Sequence, residues 1–209
     1  DDDGVGEYGY FGELKGTALL RVYDPVSDAP DIGGSPLTPP LLPPDFGNIF
    51  SDIRGENVLL RNGYVFKMFL PDAQVGHEIE GLGEGGPIGI GGSSGAPFPD
   101  PHTGETLWGC YAWPLEDQVT GHRAFFVNQQ GSILQTRNDG SPSPTGRPAY
   151  DGLVNVPDFD AAYSDAPGSP DGLTGMGAPL GNWPRNVNDR NNWAPVGQAF
   201  APERSDPGS

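Results

Sequence analysis

The chain has 209 residues, of which 33 are glycine and 24 are proline, and only 35% are hydrophobic. Glycine and proline are the poorest helix formers, so this composition predicts little helix, a modest core and long loops. The formal net charge of −17 argues against nucleic acid and anionic membranes as partners, because both require clusters of Lys and Arg. Divalent cations are the partners that such a charge favours, although it also serves solubility alone.

The chain begins with an acidic, glycine-rich segment, Asp-Asp-Asp-Gly-Val-Gly-Glu-Tyr-Gly. Carboxylate oxygens on a flexible backbone are the ligands that Ca²⁺ prefers. The segment lacks the alternating acids and the closing glutamate of an EF-hand loop. A solvated acidic end and another cation remain alternative interpretations. The candidate Ca²⁺ ligands are Asp1, Asp2, Asp3 and Glu7.

Two segments of different character follow. A short apolar stretch at residues 17–23 predicts either one helical turn or a strand. Residues 24–48 then form a proline-rich loop, since prolines favour extended geometry without regular backbone hydrogen bonds.

The folded centre is expected to begin near Asn57. Apolar runs at residues 58–60 and 64–70 are separated by Asn62-Gly63, a strong hairpin signal. Both faces of the second run are largely apolar, which indicates a central strand. Together with three further apolar runs, they predict a mainly β fold with little helix, an antiparallel sheet meander with long Pro/Gly-rich loops. The further strands are predicted at residues 107–113, 123–128 and 132–136.

The glycine-rich loop at residues 76–106 matches two motifs by letter only. Residues 81–86 fit the dinucleotide fingerprint, and residues 91–95 fit the nucleophile elbow. Both mechanisms require a helix after the glycines, but Pro87 and Pro97 stand where such a helix would begin. We expect neither cofactor binding nor a hydrolase triad in this loop.

Other catalytic candidates are no stronger. Cys110 lies in an aromatic run typical of a buried strand, which favours a core thiol over a nucleophile. The three histidines lack zinc spacing. Acidic pairs such as Glu78/Glu80 and Glu116/Asp117 border loops of an acidic protein, where chance pairs are expected. The sequence therefore offers no catalytic residue, and we expect a protein that is not an enzyme and binds no small-molecule cofactor.

From Asn138 onward the chain returns to loop composition. Residues 141–146 are a candidate linker or O-glycan site, and residues 158–163 predict one helical turn that presents Asp158 and Asp160 as a second Ca²⁺ pair. Residues 164–209 form a Pro/Gly/Asn-rich tail with spaced apolar residues, which disordered segments usually lack. We expect this tail to dock, either on its own domain (residues 1–163) or on a neighbouring subunit. The docking residues would be Leu180, Trp183, Trp193, Val196 and Phe200.

Several segments, in this order, resemble one family. Residues 1–16 resemble the segment that follows the N-terminal helix of certain bacterial prepilin-like proteins, and residues 63–71, 111–114 and 120–131 resemble successive strands of their sheet. Over roughly residues 1–16 and 60–137, the chain thus resembles the C-terminal globular domain of a type IV pilin or a type II secretion pseudopilin. The long apolar N-terminal helix of that family is missing from these residues.

The resemblance implies a non-enzymatic, exported protein that assembles into filaments and, in some members, binds Ca²⁺ in loops beside the sheet. We therefore expect a structural subunit of an extracellular bacterial filament or cell-surface fibril. Its partner would be another copy of itself, joined by head-to-tail contacts. The alternative is a monomeric adhesin or glycan-binding module that uses exposed Trp183 and Trp193 as stacking platforms.

Overall fold

The computed structural model describes residues 8–24, 29–31, 34–72, 79–85, 99–140, 148–164, 175–178, 180, 189–198 and 200. Within these ranges the chain has a four-residue helix, α1 (Phe11–Leu14), and two single-turn 3₁₀ helices, Pro44–Phe46 and Thr103–Glu105. The remaining elements are strands: β1 (Val22–Asp24), β2 (Ala29–Asp31), β3 (Asn48–Ser51), β4 (Asn57–Arg61), β5 (Tyr64–Pro71), β6 (Gly81–Gly83), β7 (Gly109–Pro114), β8 (Ala124–Asn128), β9 (Leu134–Thr136) and β10 (Ala194–Pro195).

Eight of these strands form one antiparallel sheet in the order β10-β9-β8-β7-β5-β4-β3, and β6 pairs with the end of β5. Strands β1 and β2 form a separate ribbon. Strand β5 is central, because it pairs with β4 on one side and with β7 from Tyr64 to Phe69 on the other. The predicted mainly β fold, its antiparallel sheet and its central strand are confirmed.

The turn between β4 and β5 is the predicted hairpin. Asn62 and Gly63 both have positive φ, 50° and 79°, as a two-residue type I′ turn requires. A Cβ atom at position 63 would also lie 2.9 Å from the Cβ atom of Thr120. Glycine therefore serves both the backbone conformation and the close approach of the next loop.

The hydrophobic core lies on one face of the sheet. Side chains alternate along a strand, so every second residue of β5, β7 and β8 is buried on this face. Tyr111 stands at its centre, with ring centroids of Phe126 at 4.5 Å and Trp193 at 5.8 Å. The Tyr111 hydroxyl donates to Phe159 O and accepts from Ala162 N, both at 3.0 Å, which fastens the covering segment 148–164 to the sheet.

Some predicted boundaries were wrong. The segment predicted as a proline-rich loop contains β2 and a 3₁₀ helix. Pro30 is tolerated in β2 because a two-stranded ribbon does not need every backbone N–H, and Pro44 suits the first position of a helical turn. Regular structure also starts before Asn57, at α1. Residues 158–163 form successive turns rather than a helix, with Tyr163 N donating to Asp160 O at 2.8 Å.

None of the helices among the described residues combines the length and the apolar character needed to cross a bilayer.

Candidate functional site

The sheet face opposite the core is also apolar and forms an open groove of about 640 Å³. The side chains that alternate with the core residues of β5, β7 and β8 point into it, and they are half-buried rather than enclosed. No charged side chain is among the described residues that line it. We call this surface the apolar groove, and its principal lining residues are Phe11, Tyr64, Phe66, Met68, Trp108, Cys110, Ala112, Phe125, Val127, Ile133 and Val196.

Each end of the apolar groove carries a pair of aromatic rings. At the Trp108 end, the ring centroid of Tyr8 lies 5.7 Å from that of Trp108. At the Tyr64 end, the rings of Tyr64 and Phe125 are 6.1 Å apart. Because Tyr8 is the first described residue, the described chain begins at the Trp108 end of the groove.

One wall of the apolar groove is markedly exposed. Ile133 and Val196 are 50% and 52% exposed, and Val196 N donates to Ile133 O at 3.0 Å, which holds the end of β10 against β9. Contiguous apolar surface of this kind is rare on isolated soluble proteins and marks an interaction site.

Cys110 lines the apolar groove and has no features of a nucleophile. Burial raises the pKa of its thiol to about 12, so the thiol is neutral at physiological pH. Because the thiolate is the reactive form, this arrangement supports packing rather than chemistry.

Two arginines, Arg123 and Arg137, lie beside the Tyr64 end of the apolar groove; we call them the arginine pair. Both are exposed, and their guanidinium carbons lie 6.0 Å and 5.1 Å from the ring centroid of Phe200. Arg123 Nη1 also donates to Gln135 Oε1 at 2.8 Å. Across the described part of the chain, no carboxylate forms an ion pair with either arginine.

The predicted cation ligands Asp158 and Asp160 line a second, acidic pocket of about 430 Å³, together with Asp189 and Tyr150. Asp158 is already paired, since its Oδ1 lies 2.5 Å from Arg54 Nη1. No three His, Cys, Asp or Glu side chains among the described residues are arranged to hold a metal ion. The other candidates, Asp1, Asp2, Asp3 and Glu7, lie outside the described residues, so Ca²⁺ binding stays a prediction.

Asp189 is a half-buried anchor that sequence reasoning missed. Its Oδ2 accepts hydrogen bonds from Tyr150 Oη at 2.6 Å, Asn191 Nδ2 at 2.8 Å and Trp193 Nε1 at 3.0 Å, and its Oδ1 accepts from Asn191 N at 2.8 Å. Burial nevertheless raises the pKa of this carboxyl group above its ordinary value. The available signal was weak: a carboxylate four positions before a tryptophan.

The predicted subunit-contact residues divide into two sets. Trp193 is 1% exposed, and Leu180 is half-buried against the core and bridges to Tyr163, so both contact their own chain. An exposed stacking platform at Trp193 is therefore wrong, because long-range packing encloses the indole. Val196 is exposed at the wall of the apolar groove, and Phe200 is half-buried beside the arginine pair. Trp183 lies outside the described residues.

The core face also holds a buried lysine that sequence patterning did not interpret. Lys67 of β5 is fully buried, and its Nζ lies 2.6 Å from Asp52 Oδ2 and hydrogen-bonds to the Glu56 carboxylate. Asp52 Oδ1 accepts the backbone N–H groups of Arg54 and Glu56, at 2.8 Å and 3.1 Å. The cluster is fully paired, which marks it as structural.

A second buried ionic cluster holds α1 against the sheet. Glu84 is 2% exposed and accepts the N–H of Gly12 at 3.1 Å, while Glu13 accepts Tyr10 N and Arg21 Nε, both at 2.8 Å. Burial, together with the nearby Glu13 charge, raises the pKa of Glu84 to about 7. This cluster positions Phe11, which lines the apolar groove.

Comparison of the chain with protein-family models, with curated proteins and with solved structures finds no match. The interpretation of the apolar groove and the arginine pair therefore depends on their geometry and chemistry.

Proposed function

We propose that this protein is a structural subunit of an extracellular filament, similar to the globular domain of a type IV pilin or a type II secretion pseudopilin. The apolar groove carries this proposal, because it leaves the apolar side chains on one face of β5, β7 and β8 only half-buried among the described residues. Covering it with a partner removes apolar surface from water, which is the main favourable term in stable association.

The dimensions of the apolar groove suit a helix as its cover. Strands β5, β7 and β8 are neighbours, and at about 4.8 Å per step the outer two lie about 10 Å apart. An α-helix with its side chains is about 10 Å in diameter. The family that the sequence resembles supplies such an element as a long apolar N-terminal helix. A helix preceding the acidic segment would approach the groove from its Trp108 end, beside Tyr8.

The contacts of this subunit are heterologous in our proposal, so that they propagate into an open filament rather than a closed ring. Val196 supports this arrangement, because it is exposed at the wall of the apolar groove, where a second copy can reach it. We propose no catalytic role: the groove has an apolar lining and a neutral thiol, and neither performs acid–base chemistry. The glycan-binding alternative loses Trp193, one of the two tryptophans on which it depended.

Electron microscopy of the native extracellular material tests the proposal, with wild type compared with groove variants. Ile133→Glu and Val196→Glu each place a carboxylate on the exposed wall of the apolar groove, where the fold tolerates it. Val119→Glu and Val154→Glu are matched controls, because these residues are 68% and 61% exposed and lie outside the groove.

We expect filaments with wild type and with both controls, and none with either groove variant, at unchanged thermal stability. Isolated particles from wild type, or filaments from all four variants, would contradict the proposal. Repeating the microscopy after chelation of divalent cations tests the Ca²⁺ prediction separately, since fraying would connect a cation to assembly.

A further inference from the structure

The arginine pair belongs to the groove side of the sheet. Arg123 stands two positions before Phe125, which lines the apolar groove, and Arg137 stands two positions after Gln135, the cross-strand partner of Phe125. Arg123 and Arg137 each lie one residue beyond the end of their strand, and side chains two apart on a strand share a face. Continuing the alternation by one residue places both arginines on the face of the groove, at its Tyr64 end. The contact of both guanidinium groups with Phe200 agrees with this placement.

Arg123 and Arg137 share one aromatic ring as their partner. Arg61, which also forms no ion pair among the described residues, lies instead over the ring of Phe46. Arg21, Arg54 and Lys67 each form an ion pair with a carboxylate. Among the described residues, by contrast, Arg123 and Arg137 meet an aromatic ring and an amide oxygen. Two neighbouring, exposed guanidinium groups that meet no carboxylate among the described residues form a site for carboxylates, which arginine binds through paired N–H donors.

The chain itself carries a matching anion. Residues 1–7 include four carboxylates, and the described chain begins directly after them, at Tyr8. Tyr8 packs on Trp108, at the end of the apolar groove opposite the arginine pair. One end of this sheet face thus carries Tyr8, the residue that follows the acidic segment in the sequence, and the other end carries two arginines without a carboxylate partner among the described residues.

We infer that the arginine pair binds the acidic segment, residues 1–7, of a second copy of this chain. The inference deepens the proposed function and rests on it, since it names the charged part of the head-to-tail contact. Stacking copies along the sheet brings the two opposite charges together at every junction, which fixes the direction and register of association.

Binding within one copy is the competing arrangement. Seven extended residues span about 25 Å, so length alone allows the segment to reach its own arginine pair. To do so it would have to lie along the apolar groove, where carboxylates lose hydration without gaining partners. The geometry therefore favours the second copy, and the experiment separates the two arrangements.

A charge-exchange experiment on the full chain tests the inference. One variant carries Asp1→Lys, Asp2→Lys and Asp3→Lys, a second carries Arg123→Glu and Arg137→Glu, and a third carries all five changes. Self-association is measured by analytical ultracentrifugation at low salt with EDTA, so that divalent cations do not occupy the carboxylates. Arg54→Glu is the control, because it reverses a charge on an arginine that is paired elsewhere, with Asp158.

We expect the first and second variants alone to associate about tenfold more weakly than wild type, which is the effect of losing a few exposed ion pairs. An equimolar mixture of the two should recover wild-type association, as should the third variant alone. Added salt should weaken the association of the wild type. The control Arg54→Glu should associate as strongly as the wild type at each salt concentration. A neutral variant, Arg123→Gln with Arg137→Gln, should lie between wild type and the charge reversal.

Recovery by the third variant but not by the mixture would assign the contact to a single copy and overturn the inference. Unchanged association in all variants would overturn it as well. Microscopy keeps the two proposals distinct: wild-type filaments that tolerate both charge reversals contradict this inference alone. A lack of wild-type filaments contradicts the proposed function, while the mixing experiment still reports on the contact.

Discussion

The indole of Trp193 donates a hydrogen bond from Nε1 to Oδ2 of Asp189 at 3.0 Å, and the same oxygen accepts the hydroxyl of Tyr150 at 2.6 Å. Tyr150 belongs to the segment that covers the core, whereas Trp193 belongs to the tail. One half-buried carboxylate therefore joins the tail to the core, and the tail contributes to the domain both a strand and one of the two tryptophans that are fully buried among the described residues.

Replacing Asp189 with alanine should remove this junction. The hydroxyl of Tyr150, the indole N–H of Trp193 and the backbone N–H of Asn191 would be left without their acceptor. We therefore expect the free energy of unfolding to fall by about 3 kcal/mol. Asp189→Asn retains an oxygen acceptor and should lose less. Urea denaturation measures both, and wild-type stability of the alanine variant would show that the carboxylate joins nothing.

Removal of the buried ammonium group of Lys67 should be more damaging still. In Lys67→Met the carboxylates of Asp52 and Glu56 lose their counter-charge, and we expect a loss of about 4 kcal/mol because an unpaired buried charge remains. Adding Asp52→Asn and Glu56→Gln to the same chain should restore part of this loss. Denaturant midpoints of the single and triple variants give the comparison, and equal midpoints would refute the role of charge.

Stability should depend on pH through Glu84. Its pKa is about 7 in the folded chain and 4.5 without the fold, so the folded state binds more protons between these values. The contribution of Glu84 to the free energy of unfolding is therefore fully present below about pH 4.5, and it is lost as the pH rises from there through 7. Glu13 and Arg21 face the same cluster, and a substitution of Glu84 alone leaves both in place.

Glu84→Gln keeps an acceptor for Gly12 N and removes the ionisation. We expect the wild type to lose about 3 kcal/mol more than this variant between pH 4.5 and pH 7.5. Urea unfolding at both pH values measures the difference, with Glu116→Gln as an exposed control. Parallel pH profiles of wild type and Glu84→Gln would exclude Glu84 as the titrating group.

Two glycines with the same backbone conformation allow strain and crowding to be separated. Gly55 and Gly63 both have φ of 79°, but a Cβ atom at position 55 meets no heavy atom within 4 Å, whereas one at position 63 meets Thr120. Gly55→Ala should cost about 1 kcal/mol, the usual cost of a left-handed alanine. Gly63→Ala should lower the free energy of unfolding by more, because its Cβ atom also crowds Thr120. Thermal unfolding of both variants measures the difference, and equal losses of stability would show that Thr120 moves aside freely.

The sheet could be predicted from the sequence largely because its signals are local. Asn62-Gly63 and the alternation around Phe66 each depend on a few neighbouring residues, and the structure confirms both the hairpin and the central strand. The burial of Trp193 could not be predicted, because it depends on contacts with Tyr111 and Phe126, far back in the chain.

The candidate site was harder to predict, for the same physical reason. Val196 and Phe200 stand out in the sequence as apolar residues in a polar tail, but their positions depend on β9 and on the two arginines. The apolar groove itself follows from β5 having two apolar faces, of which the fold covers only one with the described core segments.

The pairing of β10 with β9 sets an order for folding during synthesis. Strands β3 to β9 can pair before the tail is made, since all of their sheet partners except β10 precede residue 137. Ala194 must return to Gln135, so the indole that closes the core and the Val196 wall of the groove arrive late. A nascent chain therefore lacks a finished contact surface until Val196 has been made, which delays association with other copies until the domain has folded.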